Sequence, residues 1–296
     1  MTPDTALAPI EIDPRTFLKD HCTLPTLPEV VGQIQDMMQD ENVVIARVAD
    51  LISSDPALLA QTLKVVNSAY YGLPREITNP QVAIAFLGLN EVYRMVLSLS
   101  VINTVSIVGK KEELLKYWYH SIYTAICTKH LAGTYEPDIS KEELWSAAVL
   151  HDIGKLVYLK MYPDHYEAIQ NHCKKHGCLF SEAEEHLSLP GSSYIGTLLC
   201  DHWRLPDKVR DASERHSLGD LMAAEGRTPP TVFQRLICLG NLLTILVTEQ
   251  LSDHKRQEVS AAVRSALKCS EDDFLTLLEE TAGLREKAQG LIGQLR

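Results

Sequence analysis

The pair His151-Asp152, continuing as Ile153-Gly154-Lys155, closes an apolar run from Leu144 to Leu150. An imidazole beside a carboxylate suits a first-row divalent ion such as iron, manganese, nickel or zinc. On a regular helix, adjacent side chains diverge by about 100° and do not share a target. At a terminal turn both can bend to one ion, and Gly154 would supply the tight exit such a turn needs. A lone His-Asp dipeptide is more often an ordinary helix ending, so the motif depends on its context. That context is His120, thirty-one residues upstream (151 minus 120). It lies beside Trp118 on a long helical stretch read from Lys110 to Leu131. Antiparallel packing of the two helices would bring both imidazoles and Asp152 onto one ion.

Other polar clusters read more plainly. His172 and His176, in His172-Cys173-Lys174-Lys175-His176-Gly177-Cys178, are four apart and share a helix face. A basic, Gly-terminated last turn is the ordinary ending of a helix, because Lys and His complement its dipole. Glu182, Glu184 and Glu185 form an acidic first turn, which needs no catalytic role. Ala83 to Val96 has the helix–Gly–helix outline of a DNA-reading motif. It offers only Asn90 and Arg94 within an apolar run, so core packing is expected.

The elements that must position these residues are helices. Asp55-Pro56 and Asn79-Pro80 each place an N-cap before a proline at the first helical position. Leu59, Leu63, Val66 and Tyr70 recur at helical spacing, and Gly72 and Pro74 punctuate the chain after them. Gly88 ends the next helix, and Asn90 is read as the cap of the one that follows. Leu27 to Met38 and Val43 to Ile52 are helical in period. Ser181 with Glu184, and Ser270 with Asp273, read as capping boxes. Residues 218 to 231, with Gly219, Gly226, Pro229 and Pro230, read as a loop, and Thr231 to Glu249 as a buried helix. Asp253 to Gly290 reads as an exposed helical tail. The expected fold is all-α, a compact multi-helix bundle.

The 28 Lys and Arg against 39 Asp and Glu leave a net charge of -11. No long basic stretch interrupts this acidity, which argues against direct binding of nucleic acid or of an anionic membrane. Hydrophobic residues at 45% and charged residues at 23% are ordinary for a globular chain. The seven cysteines lack disulfide-framework spacing and read as reduced thiols. The first residues lack the basic and apolar regions of a signal peptide, and no apolar stretch reaches a membrane span. A soluble, cytoplasmic protein is expected.

Tyr117-Trp118-Tyr119-His120-Ser121, followed by Leu150-His151-Asp152-Ile153-Gly154-Lys155-Leu156, resembles the HD superfamily of metal-dependent phosphohydrolases. The N-terminal half narrows the likeness. Leu24-Pro25-Thr26-Leu27-Pro28, Ile52-Ser53-Ser54-Asp55-Pro56-Ala57-Leu58 and Val66-Asn67-Ser68-Ala69-Tyr70-Tyr71-Gly72 are similar to the HDOD family of bacterial signalling proteins. So are Ala83-Ile84-Ala85-Phe86-Leu87-Gly88 and Trp203-Arg204-Leu205-Pro206. The resemblance covers about Thr23 to Ser217, more weakly to Thr248.

It implies an N-terminal extension at 1–22, an N-terminal helical half at 23–109, an HD-like core at 110–250 and a helical tail at 251–296. It also implies a regulatory output module that acts on other signalling proteins. The metal ligands carried over are His120, His151 and Asp152, with Asn241 where the family's closing aspartate stands. Asparagine keeps a carbonyl oxygen but removes a negative charge from the site. Ser192 and Arg215 fall where related enzymes place further histidines, and His216 remains as an additional pocket residue. Lys155 and Arg215 are the cations expected to contact a nucleotide or phosphate ligand. The ligand set therefore implies a degenerate, non-catalytic site for one divalent ion. The competing reading is a mononuclear phosphohydrolase acting on a nucleotide or cyclic dinucleotide.

Overall fold

The computed structural model describes residues 8–12, 28–40, 43–68, 71–104, 109–222 and 228–294. Residues 24–27 of the first family motif, Ala69, Tyr70 and Gly226 lie outside the described residues. Every element of regular structure among the described residues is a helix.

The N-terminal half holds α1 (Glu29–Met37), α2 (Ile45–Ser54), α3 (Pro56–Val66), α4 (Pro80–Leu87) and α5 (Leu89–Thr104). Asp55 caps α3 by accepting the N–H groups of Ala57 and Leu58, and Asn79 caps α4 by accepting that of Gln81. Each such cap contributes about 1 kcal/mol. Gly88 ends α4 with φ 90°, a conformation that favours glycine. Asn90 lies inside α5 rather than capping it, since that helix begins directly after Gly88. Helix α3 ends at Val66, ahead of Gly72. Beyond it Asn67 braces the connection to α4, accepting the Ile77 N–H at 2.7 Å and donating to the Leu63 and Ile77 carbonyls. The helix–Gly–helix segment is structural: Val92, Met95 and Val96 are buried. Arg94 pairs with Glu143 at 3.1 Å, tying α5 to the core helix it packs on.

The core is organised around α6 (Lys111–Tyr135), which packs against α7 (Lys141–Leu150) and α14 (Val232–Thr248). Helix α14 is largely buried along its length, from Phe233 to Leu246, and Thr231 with Gln234 closes its capping box. Gly240 allows the close approach of α14 to α6. A Cβ there would lie 2.1 Å from the Thr128 hydroxyl and 3.1 Å from the Thr124 carbonyl. Between α7 and α14 run α8 (Ile153–Met161), α9 (Pro163–His176), α10 (Phe180–His186), α11 (Ser192–His202), α12 (Asp207–Glu214) and α13 (Leu218–Leu221). The expected Ser181–Glu184 capping box is replaced by Glu182, whose carboxylate accepts the Leu179 N–H at 3.0 Å.

The C-terminal helices α15 (Asp253–Leu267), α16 (Glu271–Gly283) and α17 (Arg285–Gln294) are not an exposed tail. Helix α17 packs against α6 and α3, and buries Ala288, Leu291 and Ile292. Tyr123 of α6 donates to the Thr281 carbonyl at 2.6 Å. Ser270 and Asp273 form the expected capping box of α16. No helix among the described residues is long and apolar enough to cross a membrane.

Candidate metal centre

The chain does not turn at Gly154. Helix α7 stops at Leu150, His151 and Asp152 form the break, and α8 starts at Ile153 with Gly154 inside its first turn. Gly154 serves packing instead: a Cβ there would stand 1.9 Å from the Ser192 carbonyl oxygen and 2.7 Å from the Gly196 nitrogen. Only glycine lets α11 press against α8 at this point. Ser192, read as a replaced ligand, is the first residue of α11. It is held there by Glu184, whose carboxylate accepts its N–H at 2.9 Å.

The break puts His151 and Asp152 in the interior, 0% and 2% exposed. The long-helix histidine joins them as expected. His120 Nε2 and His151 Nε2 each lie 3.3 Å from Asp152 Oδ2. The three donors lie within 4.8 Å of one another. Bonds of about 2.1 Å at right angles would separate neighbouring donor atoms by about 3 Å, close to what is seen. His216, in the turn after α12, approaches from the other side, with Nε2 3.1 Å from Asp152 Oδ1.

The backbone fixes the tautomers of two of these rings. His151 Nδ1 is 2.7 Å from the Ala148 carbonyl and His216 Nδ1 is 3.0 Å from the Ala212 carbonyl. A carbonyl can only accept, so both Nδ1 atoms carry a proton and both Nε2 atoms face the Asp152 carboxylate. Burial pushes the His151 imidazole down to about 4, so it is neutral near pH 7. The lone pair of neutral His151 opposite a carboxylate repels it unless a cation lies between them. His120 Nε2, His151 Nε2, Asp152 Oδ1 and Asn241 Oδ1 are all buried without a hydrogen-bond partner. This donor set fits a divalent ion of the iron–manganese–nickel–zinc class, held by two imidazoles and a carboxylate with backbone carbonyls as their outer support.

The other expected residues fall into place unevenly. Asn241 reaches the turn that carries His216: its Nδ2 donates to the His216 carbonyl at 3.1 Å, and its neutral Oδ1 is buried without a partner. The Lys155 ammonium sits on Asp152 Oδ2 at 2.7 Å and over the Phe180 ring at 4.6 Å. Burial favours the neutral acid, yet the Lys155 ammonium is among the groups that outweigh it, and the Asp152 carboxyl is held well below the usual carboxylate range. Arg215 turns elsewhere. Its extended backbone points successive side chains to opposite sides, so His216 faces Asp152 while the Arg215 guanidinium donates to the Thr228 carbonyl at 2.7 Å and lies 3.8 Å from Asp220.

Three neighbours were not legible as site residues. Glu249 lies 4.0 Å from His120 Nδ1. It is the extended residue that closes α14, so helical spacing from Asn241 gave no signal for it. Burial, and then the charge of Asp152, raise the Tyr117 phenol well above its ordinary value. Glu184 is buried under the α8–α11 contact, and burial pushes its carboxyl up to about 7.

A family model described as HDOD domain matches residues 24–218. An uncharacterized protein of Treponema pallidum (strain Nichols) is 23% identical over 193 residues. That match covers 65% of this chain and 37% of the relative, so the chain spans little more than a third of that relative's length. Among solved structures, an HDOD domain protein of unknown function from Geobacter sulfurreducens superposes with a TM-score of 0.72 at 20% identity, covering 96% of this chain and 97% of that one. A Shewanella amazonensis SB2B protein, provisionally named a phosphohydrolase, superposes with a TM-score of 0.69 at 22% identity, covering 92% and 95%. Such likenesses carry the fold, and the family model, spanning well over half the sequence, carries the family: this chain belongs to the HDOD family.

Proposed function

We propose that this chain is a regulatory module of bacterial signal transduction whose buried centre holds a single divalent ion without acting as a phosphohydrolase. His120, His151 and Asp152 would hold the ion, with His216 and the Asn241 carbonyl oxygen beside them. A divalent ion in such a centre supplies Lewis acidity toward a phosphate ester. The residues around it are poorly suited to sustain that chemistry. The observation that carries this reading is the charge count of the buried cluster: one carboxylate, Asp152, is already met by the Lys155 ammonium at 2.7 Å. The expected second carboxylate is Asn241, a neutral amide. Glu249, 4.0 Å from His120, is 44% exposed, where water screens it. A regulatory role needs only that the ion, or a nucleotide or phosphate ligand above it, bias how the helices present themselves to another signalling protein.

The donor spacing favours one competing reading, a mononuclear phosphohydrolase. Generic phosphodiester and phosphomonoester hydrolysis, assayed with Mn2+, Fe2+, Ni2+ and Zn2+ in turn, separates the two. The module predicts no metal-stimulated turnover above the protein-free rate. Metal-dependent turnover that disappears in Asp152→Ala would establish the enzyme instead.

A further inference from the structure

The end of α9 carries His172 and His176 one turn apart, as the spacing required. Spacing along the chain gave no sign of their third neighbour. Gly177 closes α9 in the left-handed conformation, φ 61°, and turns the chain back so that α10 packs beside α9. His186, the last residue of α10, then meets the same face. The His172 ring lies 4.3 Å from that of His176 and 4.4 Å from that of His186, inclined at 31° and 33°. His172 is the middle of a three-imidazole stack, with His176 and His186 exposed on either side.

We propose that His172, His176 and His186 form a second, surface site for a borderline-soft divalent ion of the Zn2+ class, separate from the buried centre. An all-imidazole donor set favours Zn2+, Ni2+ or Cu2+ over the hard ions Mg2+, Ca2+ and Mn2+. The rings stack rather than converge, so binding one ion requires the two exposed histidines to rotate about χ2. That torsion is broad and inexpensive in histidine. Lys174 and Lys175 on the same turn oppose a purely electrostatic cation site. The site would therefore discriminate by donor chemistry, not by charge. An ion there ties the last turn of α9 to α10, whose first residue, Phe180, underlies the Lys155 ammonium. It would thus stiffen one wall of the buried centre from outside.

Retention of the untagged full-length chain on a Ni2+-chelate resin reads surface histidines, because the buried centre cannot reach an immobilised ion. The wild type should be retained at an imidazole concentration that releases His172→Ala, while His254→Ala, at another exposed histidine, behaves as wild type. In calorimetric titration with Zn2+, His172→Ala should lose one binding event and Asp152→Ala the other. His186→Ala should weaken the surface event about tenfold. Circular dichroism on each variant reports that the helices are intact. Wild-type retention by His172→Ala would overturn the site, and an unchanged Zn2+ affinity in His186→Ala would overturn the third ligand.

Discussion

His151 and His216 each give one ring N–H to a backbone carbonyl and turn the other nitrogen toward Asp152. That arrangement makes Asp152 the residue on which the centre depends, and residues around it were legible to different degrees. His120, His151 and Asp152 were readable because two imidazoles and a carboxylate at that spacing have a chemical use. The position of Lys155 against Asp152, and the turn of Arg215 toward Thr228, were not. Both depend on side-chain direction, which spacing along the chain does not specify. Glu184 was read as an ordinary first-turn acid, and its burial follows from packing alone. It also makes the sharpest residue-level prediction. Its folded pKa, about 7, lies above the ordinary 4.5 because burial penalises the charged form. Its contribution to stability is therefore fully present below about pH 4.5 and is lost as pH rises through about 7. The loss is on the order of 3 kcal/mol. Glu184→Gln keeps an acceptor for the Ser192 N–H and removes the titration. Urea unfolding of both proteins at pH 5, 6 and 7.5 should show the variant gaining relative to the wild type as pH rises. Parallel pH profiles would contradict the assignment.

Two glycines set the helices that carry the site. Gly154 admits α11 against α8, and Gly240 admits α14 against α6, one residue before Asn241. Neither role was visible beforehand, and Gly154 was expected to open a turn. A close helix crossing and a turn both call for glycine, and the sequence pattern does not distinguish them. Helix ends were read well where a side chain caps its own turn, as at Asp55, Asn79, Thr231 and Ser270. They were misread at Ser181, where a neighbouring acid fits the cap better. Gly240→Ala should destabilise the protein by about 1–3 kcal/mol, because its Cβ meets backbone and the Thr128 hydroxyl rather than a flexible side chain. Gly290→Ala in α17 meets nothing within 4 Å and should be neutral or slightly stabilising through helix propensity. Equal urea midpoints for the two variants would show that the α6–α14 contact is not as close as described.

At the scale of the molecule, the all-α class was legible because helical periodicity, caps and breakers agree along nearly the whole chain. The packing of the last three helices was not. Their apolar residues, Val259, Val263, Phe274, Leu277, Leu291 and Ile292, are sparse among charged ones and gave the outline of an exposed tail. The structure seats α17 on α6, the helix that carries His120, so the C-terminal helices brace one side of the centre. A chain with a net charge of -11 nevertheless gathers a buried cluster with no excess negative charge of its own. The account thus requires an ion that is held by geometry and weakened by missing charge. Equilibrium Mn2+ binding to the full-length chain, followed by the spin-resonance signal of the free ion, tests this most directly, because Mn2+ is the ion the surface histidines favour least. The account predicts a single saturable site, abolished in Asp152→Ala and tightened about tenfold or more in Asn241→Asp, which restores the missing carboxylate. Absence of saturable binding in both the wild type and Asn241→Asp, or binding indifferent to Asp152→Ala, would contradict it.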